Sequence, residues 1–327
     1  MGGGGAVVNH TVAWRSILLR GQHSPPTSRP VLVKLNGALP PLTTVTMRTC
    51  WLNGSFVDEL NAHVSIFDRG LLFGDGVYEV AAVYNGRLLD ADLHLARLKR
   101  SLDAISIPMT ITVDEWTTVM QTVATLNNVR EGLVYLQVTR GVAERDFPFP
   151  SNVVPTMFSY ARPKLLANDP NATGVRLHAV PDIRWARRDI KSTALLAQVL
   201  AKQAARVAGA FEALMHEDGV VTEGGSSNIW IVKNGVMITR PLSHNILAGI
   251  TRDVTRELAH ESKLPINERP FTIDEAIAAD ECFMTSATSF LLPVTKIDDH
   301  VIADGAAGPI ASQLRRAYIS RAERLTA

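Results

Sequence analysis

The sequence is poor in cysteine, and it has no apolar run that approaches the roughly 20 residues needed to cross a bilayer. Its two cysteines, Cys50 and Cys282, are too few for a disulfide framework and do not have the spacing of a zinc site. Lys and Arg total 33 and Asp and Glu total 32, so there is no basic excess of the kind that nucleic-acid binding requires. These absences predict a soluble protein of a reducing, cytoplasmic compartment that binds neither nucleic acid, membrane nor metal.

Acidic residues are also absent from residues 1–46, which contain four basic side chains, a run of glycines and two Pro-Pro pairs. This composition predicts a disordered N-terminal extension. The extension fits a transit peptide for organellar import, or a translation start assigned too early, because Met47 directly precedes the first strand signal. It has no sustained apolar face, which favours the second interpretation.

Turn signals and periodicity predict the organisation of the rest. Asn-Gly and Asp-Gly pairs favour positive φ at both central positions of a tight turn, so those between apolar runs predict antiparallel hairpins. These pairs are Asn53-Gly54, Asn85-Gly86, Asp218-Gly219 and Asn234-Gly235. Apolar residues recur at helical spacing in residues 92–105, 192–208, 251–261 and 309–325.

Strands and helices therefore occur in both halves of the chain without strict alternation, which predicts the α+β class with antiparallel or mixed sheets. The length of 327 residues favours two domains. We expect a small α/β domain over residues 47–164, a linker over 165–170 and a larger mixed-sheet domain over 171–327. The ligand is expected in the cleft between them.

Three stretches contain residues suited to catalysis. Lys191 follows an extended segment and precedes an apolar helix, where partial burial would favour the neutral, nucleophilic amine. Glu223 stands at a strand end before a Gly- and Ser-rich loop that could hold one carboxylate in a pocket. Gly249 and Thr251 introduce a helix whose free amides could bind a phosphate. Taken singly, the three also fit a surface lysine, a polar turn and a helix N-cap.

In this order, the three stretches resemble the class IV, or fold-type IV, family of pyridoxal-5'-phosphate (PLP) dependent aminotransferases, and especially its D-amino-acid branch. The resemblance extends from about Met47 to the C-terminus. It includes Phe67-Asp68-Arg69-Gly70, residues 73–80, residues 94–98 and residues 285–289. It implies a two-domain enzyme with PLP in the cleft.

The resemblance also implies roles for individual residues. Lys191 would hold PLP as a Schiff base and move protons, and Glu223 would face the pyridine nitrogen. The phosphate and ring would be held by Arg97, Leu247, Ile250, Thr251, Ser286 and Thr288.

Substrate recognition follows the D-amino-acid branch less closely. In that branch a tyrosine and an Arg-x-His pair, the latter from the other subunit of a homodimer, bind the substrate carboxylate. Tyr78 and Arg145 match, but Phe147 replaces the histidine and can neither donate a hydrogen bond nor carry charge. Arg145 also fits a solvated loop residue.

The predicted activity is transfer of the amino group of a D-amino acid such as D-alanine to a 2-oxo acid such as 2-oxoglutarate. A branched-chain L-amino-acid aminotransferase, an (R)-amine transaminase, an aminodeoxychorismate lyase and a non-catalytic PLP-binding protein remain alternatives.

Overall fold

The computed structural model describes residues 47–327. The predicted extension over residues 1–46 lies outside this range. The helices are α1 Arg69–Phe73, α2 Ala91–Ala104, α3 Val113–Leu126, α4 Leu196–Val207, α5 Ile250–Glu261, α6 Ile273–Ile277 and α7 Pro309–Thr326. The strands are β1 Thr49–Leu52, β2 Ser55–Asp58, β3 Gly76–Tyr84, β4 Arg87–Leu88, β5 Gly132–Thr139, β6 Thr156–Pro163, β7 Val175–Pro181, β8 Glu212–Glu217, β9 Val220–Gly224, β10 Asn228–Lys233, β11 Val236–Thr239, β12 Ile266–Glu268, β13 Glu281–Ser286, β14 Phe290–Ile297 and β15 His300–Val301.

The first six strands form an antiparallel sheet in the order β2-β1-β6-β5-β3-β4. Its core contains the apolar residues of α2 and α3, which recur every three or four positions and pack against β3 and β5. Trp116 of α3 is completely buried and meets Trp51 of β1 edge to face at 5.3 Å between ring centroids. These contacts fix β3, which carries Tyr78 and Glu79 into the site described below.

The remaining strands form a nine-stranded mixed sheet, with parallel pairing at β11–β12, β14–β7 and β7–β8. One cluster of buried residues joins this sheet to α5 and α7, and it includes Ala82 and Leu133 from the first sheet. A second cluster involves α6 and Phe271. Antiparallel and mixed sheets confirm the predicted α+β class. The predicted domain limits at residues 164 and 171 stay a prediction.

The local turn predictions are confirmed at all four Asn-Gly and Asp-Gly pairs. Leu52 pairs with Ser55, Tyr84 with Arg87, Glu217 with Val220 and Lys233 with Val236, so each Asn-Gly or Asp-Gly pair forms a two-residue loop. Both residues of each loop have positive φ.

No helix within residues 47–327 combines the length and apolar character needed to cross a bilayer.

Candidate active site

Lys191 lies on an irregular segment that is hydrogen-bonded to β3. Its carbonyl accepts from the Tyr78 amide at 3.0 Å, and the Thr193 amide donates to the Gly76 carbonyl at 3.0 Å. The expected helix start at residue 192 is therefore wrong. This pairing keeps the backbone extended, and α4 begins only at Leu196. The pairing also brings Lys191 Nζ to 4.4 Å from the centroid of the Tyr78 ring.

Lys191 opens into a pocket between the two sheets, called the central pocket below. β3 and α2 contribute one wall, and the segments after β7, β9, β11 and β13 contribute the rest. The pocket brings together all but one of the predicted site residues: Tyr78, Arg97, Lys191, Glu223, Leu247, Ile250, Thr251, Ser286 and Thr288. The predicted site residue that does not line this pocket is Arg145.

Glu223, at the end of β9, is the buried carboxylate of the central pocket. Its oxygens accept from Arg184 Nη1 at 2.5 Å, from Asn228 Nδ2 at 3.0 Å and from the Leu247 amide at 3.2 Å. Burial raises the pKa of Glu223 above its ordinary value, and the Arg184 charge and the Leu247 amide oppose this shift. The hydrogen bonds thus hold the carboxylate in one orientation, and its raised pKa favours sharing a proton with a neighbouring group.

Arg184 is a residue of this site that sequence reasoning missed. It donates to both carboxylate oxygens of the fully buried Asp182 at 2.9 and 2.7 Å, and Thr222 donates to Asp182 at 2.7 Å. Arg184 therefore bridges Asp182 and Glu223 and ties the pocket carboxylate to a second, buried carboxylate behind it. The only feature of the sequence that pointed to Arg184 was the Asp-x-Arg spacing after β7. The contact with Glu223 joins segments that are distant in the chain, so the sequence did not reveal it.

At the other end of the central pocket, Arg97 is buried beside Glu79. Arg97 Nε and Nη2 donate to the two Glu79 oxygens at 2.7 and 2.8 Å, and His94 Nδ1 lies 2.8 Å from the same carboxylate. Burial would raise the pKa of Glu79, but the charge and hydrogen bonds of Arg97 and His94 hold the pKa well below its ordinary value. Glu79 thereby fixes the guanidinium in the pocket wall. Sequence analysis matched Glu79 to the family without assigning it a role.

The N-terminus of α5 lies at the same end. Its cap residue is Gly249, where a Cβ atom would lie 2.0 Å from Asn228 Oδ1, so a larger residue would displace the Asn228 side chain. The first amides of a helix have no intrahelical acceptor and favour an anion. Thr251 Oγ1 is buried without a hydrogen-bond partner within residues 47–327. Arg97 Nη1 donates to the Ala248 carbonyl at 2.7 Å and joins this terminus to α2.

Ser286 and Thr288 form a turn between β13 and β14 that borders the pocket. Their hydroxyl oxygens lie 3.2 Å apart. Lys164 Nζ donates to the Thr288 carbonyl and to Ser289 Oγ, and Arg315 donates to the Ser289 carbonyl at 3.1 Å. The Lys164 and Arg315 side chains thus fix the backbone of this turn through its carbonyl groups. Neither was identified from the sequence.

Arg145 lies outside the central pocket of its own chain, on the loop of residues 141–150 that leaves β5. We call this segment the Arg145 loop. Arg145 itself is exposed, and Phe147 retains 76% of its possible exposure. Arg145 therefore does not line the central pocket of its own chain.

The Glu79–Arg97 pair leads to a stability prediction. Glu79→Gln should lower the free energy of unfolding by about 3–5 kcal/mol, since it leaves a buried guanidinium without its counter-charge. Equilibrium urea unfolding at neutral pH measures this difference. Lys99→Met, which removes an exposed pair with Asp103, is the control and should change stability by less than about 1 kcal/mol.

The same pair should make stability depend on acidity. The folded-state pKa of Glu79 is depressed, so its contribution is complete at neutral pH and declines as pH falls below about 4.3, the value for an unfolded glutamate. The Gln variant should lack this part of the decline. Equal acid sensitivity in both proteins would contradict the assignment.

Comparison with known proteins identifies the family of this chain. Residues 76–297 match the amino-transferase class IV family. The chain belongs to the class IV aminotransferases. It is 40% identical to a D-alanine aminotransferase of Staphylococcus aureus over 273 residues, which cover 83% of this chain and 97% of that protein. It is 41% identical to the D-alanine aminotransferase of Bacillus licheniformis, over 81% of this chain and 94% of that one.

Solved class IV structures have the same architecture. A T.th. branched-chain amino acid aminotransferase, crystallised with pyridoxamine 5'-phosphate, aligns with a TM-score of 0.77 and 26% identity. The alignment covers 84% of this chain and 93% of that one. The fold-type IV assignment made from the sequence motifs is thus confirmed for this aminotransferase.

Proposed function

We propose that this chain is a PLP-dependent aminotransferase that moves the amino group of a D-amino acid, such as D-alanine, to a 2-oxo acid, such as 2-oxoglutarate. The observation that carries the proposal is one pocket with an amine at Lys191, a buried carboxylate at Glu223 and an anion seat at Arg97 and α5. Identity of about 40% to D-alanine aminotransferases over most of the chain supports the D-amino-acid class.

The residues present fit PLP. A phosphate would accept from Arg97 and from the first amides of α5, and it would satisfy the partnerless Thr251 hydroxyl. Ser227 Oγ, also in the pocket wall, is a second buried hydroxyl without a partner in the described residues. Glu223 would face the pyridine nitrogen. Such unpaired buried groups are expected where a polar ligand completes the site.

When bound, PLP supplies an aldehyde that condenses with amines and a ring that accepts the electrons released from the substrate Cα. Lys191 Nζ would hold the aldehyde carbon and, once displaced by the substrate amine, move a proton at the substrate Cα. Glu223 would hold a proton on the ring nitrogen, where its raised pKa favours sharing. Arg184 and Asp182 would keep Glu223 in place.

Substrate recognition requires a second copy in this proposal. Tyr78 lines the central pocket, whereas Arg145 lies on an exposed loop with Phe147 and Phe149. A homodimer would cover these apolar side chains and bring Arg145 to the partner's pocket, where it would bind the substrate carboxylate. The proposed location is the cytoplasm, or an organelle if residues 1–46 direct import.

A donor panel tests the proposed substrate class. Each enantiomer of alanine, glutamate and leucine, and 1-phenylethylamine, is supplied with 2-oxoglutarate, or with pyruvate when glutamate is the donor. The 2-oxo acid or ketone formed is measured. We expect D-alanine and D-glutamate to have the highest kcat/KM. A preference for L-leucine would favour the branched-chain alternative, which the likeness to a solved branched-chain aminotransferase makes the second candidate.

Arg145 provides a more specific prediction. Arg145→Ala should lower kcat/KM for D-alanine, mainly by raising KM, because the substrate carboxylate would lose its charged partner. The loss should correspond to a rise of about 2–5 kcal/mol in activation free energy. An amine without a carboxylate should be converted at an unchanged rate. Steady-state kinetics with D-alanine and 1-phenylethylamine measure the contrast.

Hybrid dimers test whether Arg145 acts across subunits. A Lys191→Ala subunit mixed with an Arg145→Ala subunit should form sites that combine an intact Lys191 with an intact Arg145. Activity at low D-alanine concentration should rise above that of either parent. No rise after verified subunit exchange would contradict the shared site.

A further inference from the structure

The base of the Arg145 loop is hydrogen-bonded to the segment that leads into α1. The Arg69 amide donates to the Gly141 carbonyl at 2.9 Å, and the Ala143 amide donates to the Phe67 carbonyl at 3.2 Å. Gly141 has φ +105°, and a Cβ there would lie 2.0 Å from the Val154 carbonyl oxygen. The chain can therefore turn out of β5 in this way only with glycine at 141.

Beneath the loop, two buried arginines share one carboxylate. Arg69 Nε and Arg140 Nε each lie 2.8 Å from Asp75 Oδ2, and Arg140 Nη2 lies 3.1 Å from Oδ1. Burial would raise the pKa of Asp75, but the hydrogen bonds and charges of Arg140 and Arg69 outweigh it and lower the pKa. Asp75 is thus a fixed anion that orients both guanidinium groups.

The remaining donors of Arg69 hold the loop itself, whereas those of Arg140 bind the Ile105 and Ser106 carbonyls. Arg69 Nη1 donates to the Asp146 carbonyl at 2.5 Å and Nη2 to the Phe147 carbonyl at 3.2 Å. The Arg140 guanidinium carbon lies 3.5 Å from the centroid of the Phe149 ring, within cation–π range. Arg69 therefore fixes the peptide units on either side of Phe147.

Above this support, the Phe73 and Phe147 rings pack at 5.6 Å between centroids and 46° between planes. We call them the aromatic pair. The Arg145 guanidinium carbon lies 5.4 Å from the Phe73 centroid and 5.8 Å from the Phe147 centroid. Both distances allow the ring faces to attract the cation without using its N–H groups. The donors of Arg145 stay available for a carboxylate.

We propose that the aromatic pair, held in place by Arg69 and Asp75, positions the Arg145 guanidinium and so determines specificity for carboxylate-bearing donors. The inference rests on the proposed function of Arg145. It gives residue 147 a role that needs no hydrogen bond. Where the D-amino-acid branch has a histidine to contact the substrate, Phe147 acts on the substrate only through Arg145.

The test compares Phe147→Leu with Phe147→Tyr in the full-length holoenzyme. Phe147 is mostly exposed within its own chain, so neither substitution should impair folding of the subunit. Size-exclusion chromatography checks that both variants keep the wild-type oligomeric state. Leucine removes the ring face, and we expect KM for D-alanine to rise about 3–10-fold with kcat nearly unchanged, while 1-phenylethylamine is unaffected. Tyrosine keeps the ring face and should restore the original KM. If Phe147 had only a structural role, its loss would affect D-alanine and 1-phenylethylamine alike.

Arg69→Met provides a second readout that does not depend on activity. It keeps the aliphatic stem but removes the donors to the Asp146 and Phe147 carbonyls, so amides of residues 143–149 should exchange with deuterium at least about 10-fold faster. KM for D-alanine should rise as well. Unchanged exchange in this variant would overturn the anchoring by Arg69.

The outcomes separate this inference from the proposed function. If Arg145→Ala raises KM for D-alanine but Phe147→Leu does not, the substrate role of Arg145 stands and the aromatic pair does not position it. If Arg145→Ala leaves D-alanine kinetics unchanged, the proposed carboxylate contact is wrong, and the specificity role of Phe147 is overturned with it.

Discussion

Replacing Lys191 with alanine should lower the rate of amino transfer by at least about 10³-fold, because one side chain would supply both the covalent attachment of PLP and the proton transfer at the substrate Cα. Its backbone pairs with β3 through peptide groups that alanine retains, so the fold should persist. Single-turnover formation of the 2-oxo acid from D-alanine measures the loss.

The matched control is Lys233→Ala, at the end of β10, whose half-exposed amine pairs with Asp280 away from the central pocket. It should keep the wild-type rate. A Lys191→Ala protein with more than about a tenth of wild-type turnover would show that another group moves the proton.

The second large effect is expected at Glu223. Glu223→Gln should leave PLP bound but slow proton removal from the substrate Cα by roughly 10²–10³-fold, the range for loss of one electrostatic contact to a reacting centre. The neutral amide cannot hold a proton on the ring nitrogen, and it also gives Arg184 a weaker acceptor. Stopped-flow absorbance with D-alanine deuterated at Cα, compared with unlabelled D-alanine, isolates this step.

Glu59→Gln is the control for that experiment, because Glu59 also pairs with an arginine, Arg48, but neither residue lines the central pocket. It should leave the proton-removal step unchanged. If the Glu223→Gln enzyme removes the proton at the wild-type rate, Glu223 does not sustain the electron-accepting ring.

The features that the sequence predicted well are local ones. Asn-Gly and Asp-Gly turns depend on φ at two adjacent residues, and these hairpins are confirmed. The helices expected over 92–105, 251–261 and 309–325 match α2, α5 and α7 within one residue at each end. The helix α3 was missed, although Thr112 and Glu115 form a capping box that could have indicated its start.

The features that escaped prediction depend on contacts between distant segments. α4 begins later than its periodicity indicates because residues 192 and 193 pair with β3. The Arg184–Glu223 and Glu79–Arg97 pairs join residues 39 and 18 positions apart, and the spacing of one sequence does not reveal such partners. Motif order identified the pocket residues, whereas the contacts that orient them required the fold.

Reductive labelling of the holoenzyme tests the central claim most directly. Borohydride should fix PLP covalently to the protein, and peptide mass spectrometry should locate the added pyridoxyl phosphate on Lys191. The Lys191→Ala protein should lose this label. Modification of another lysine at a stoichiometry near one, with Lys191 unmodified, would contradict the assignment of Lys191 and the arrangement of the central pocket built on it.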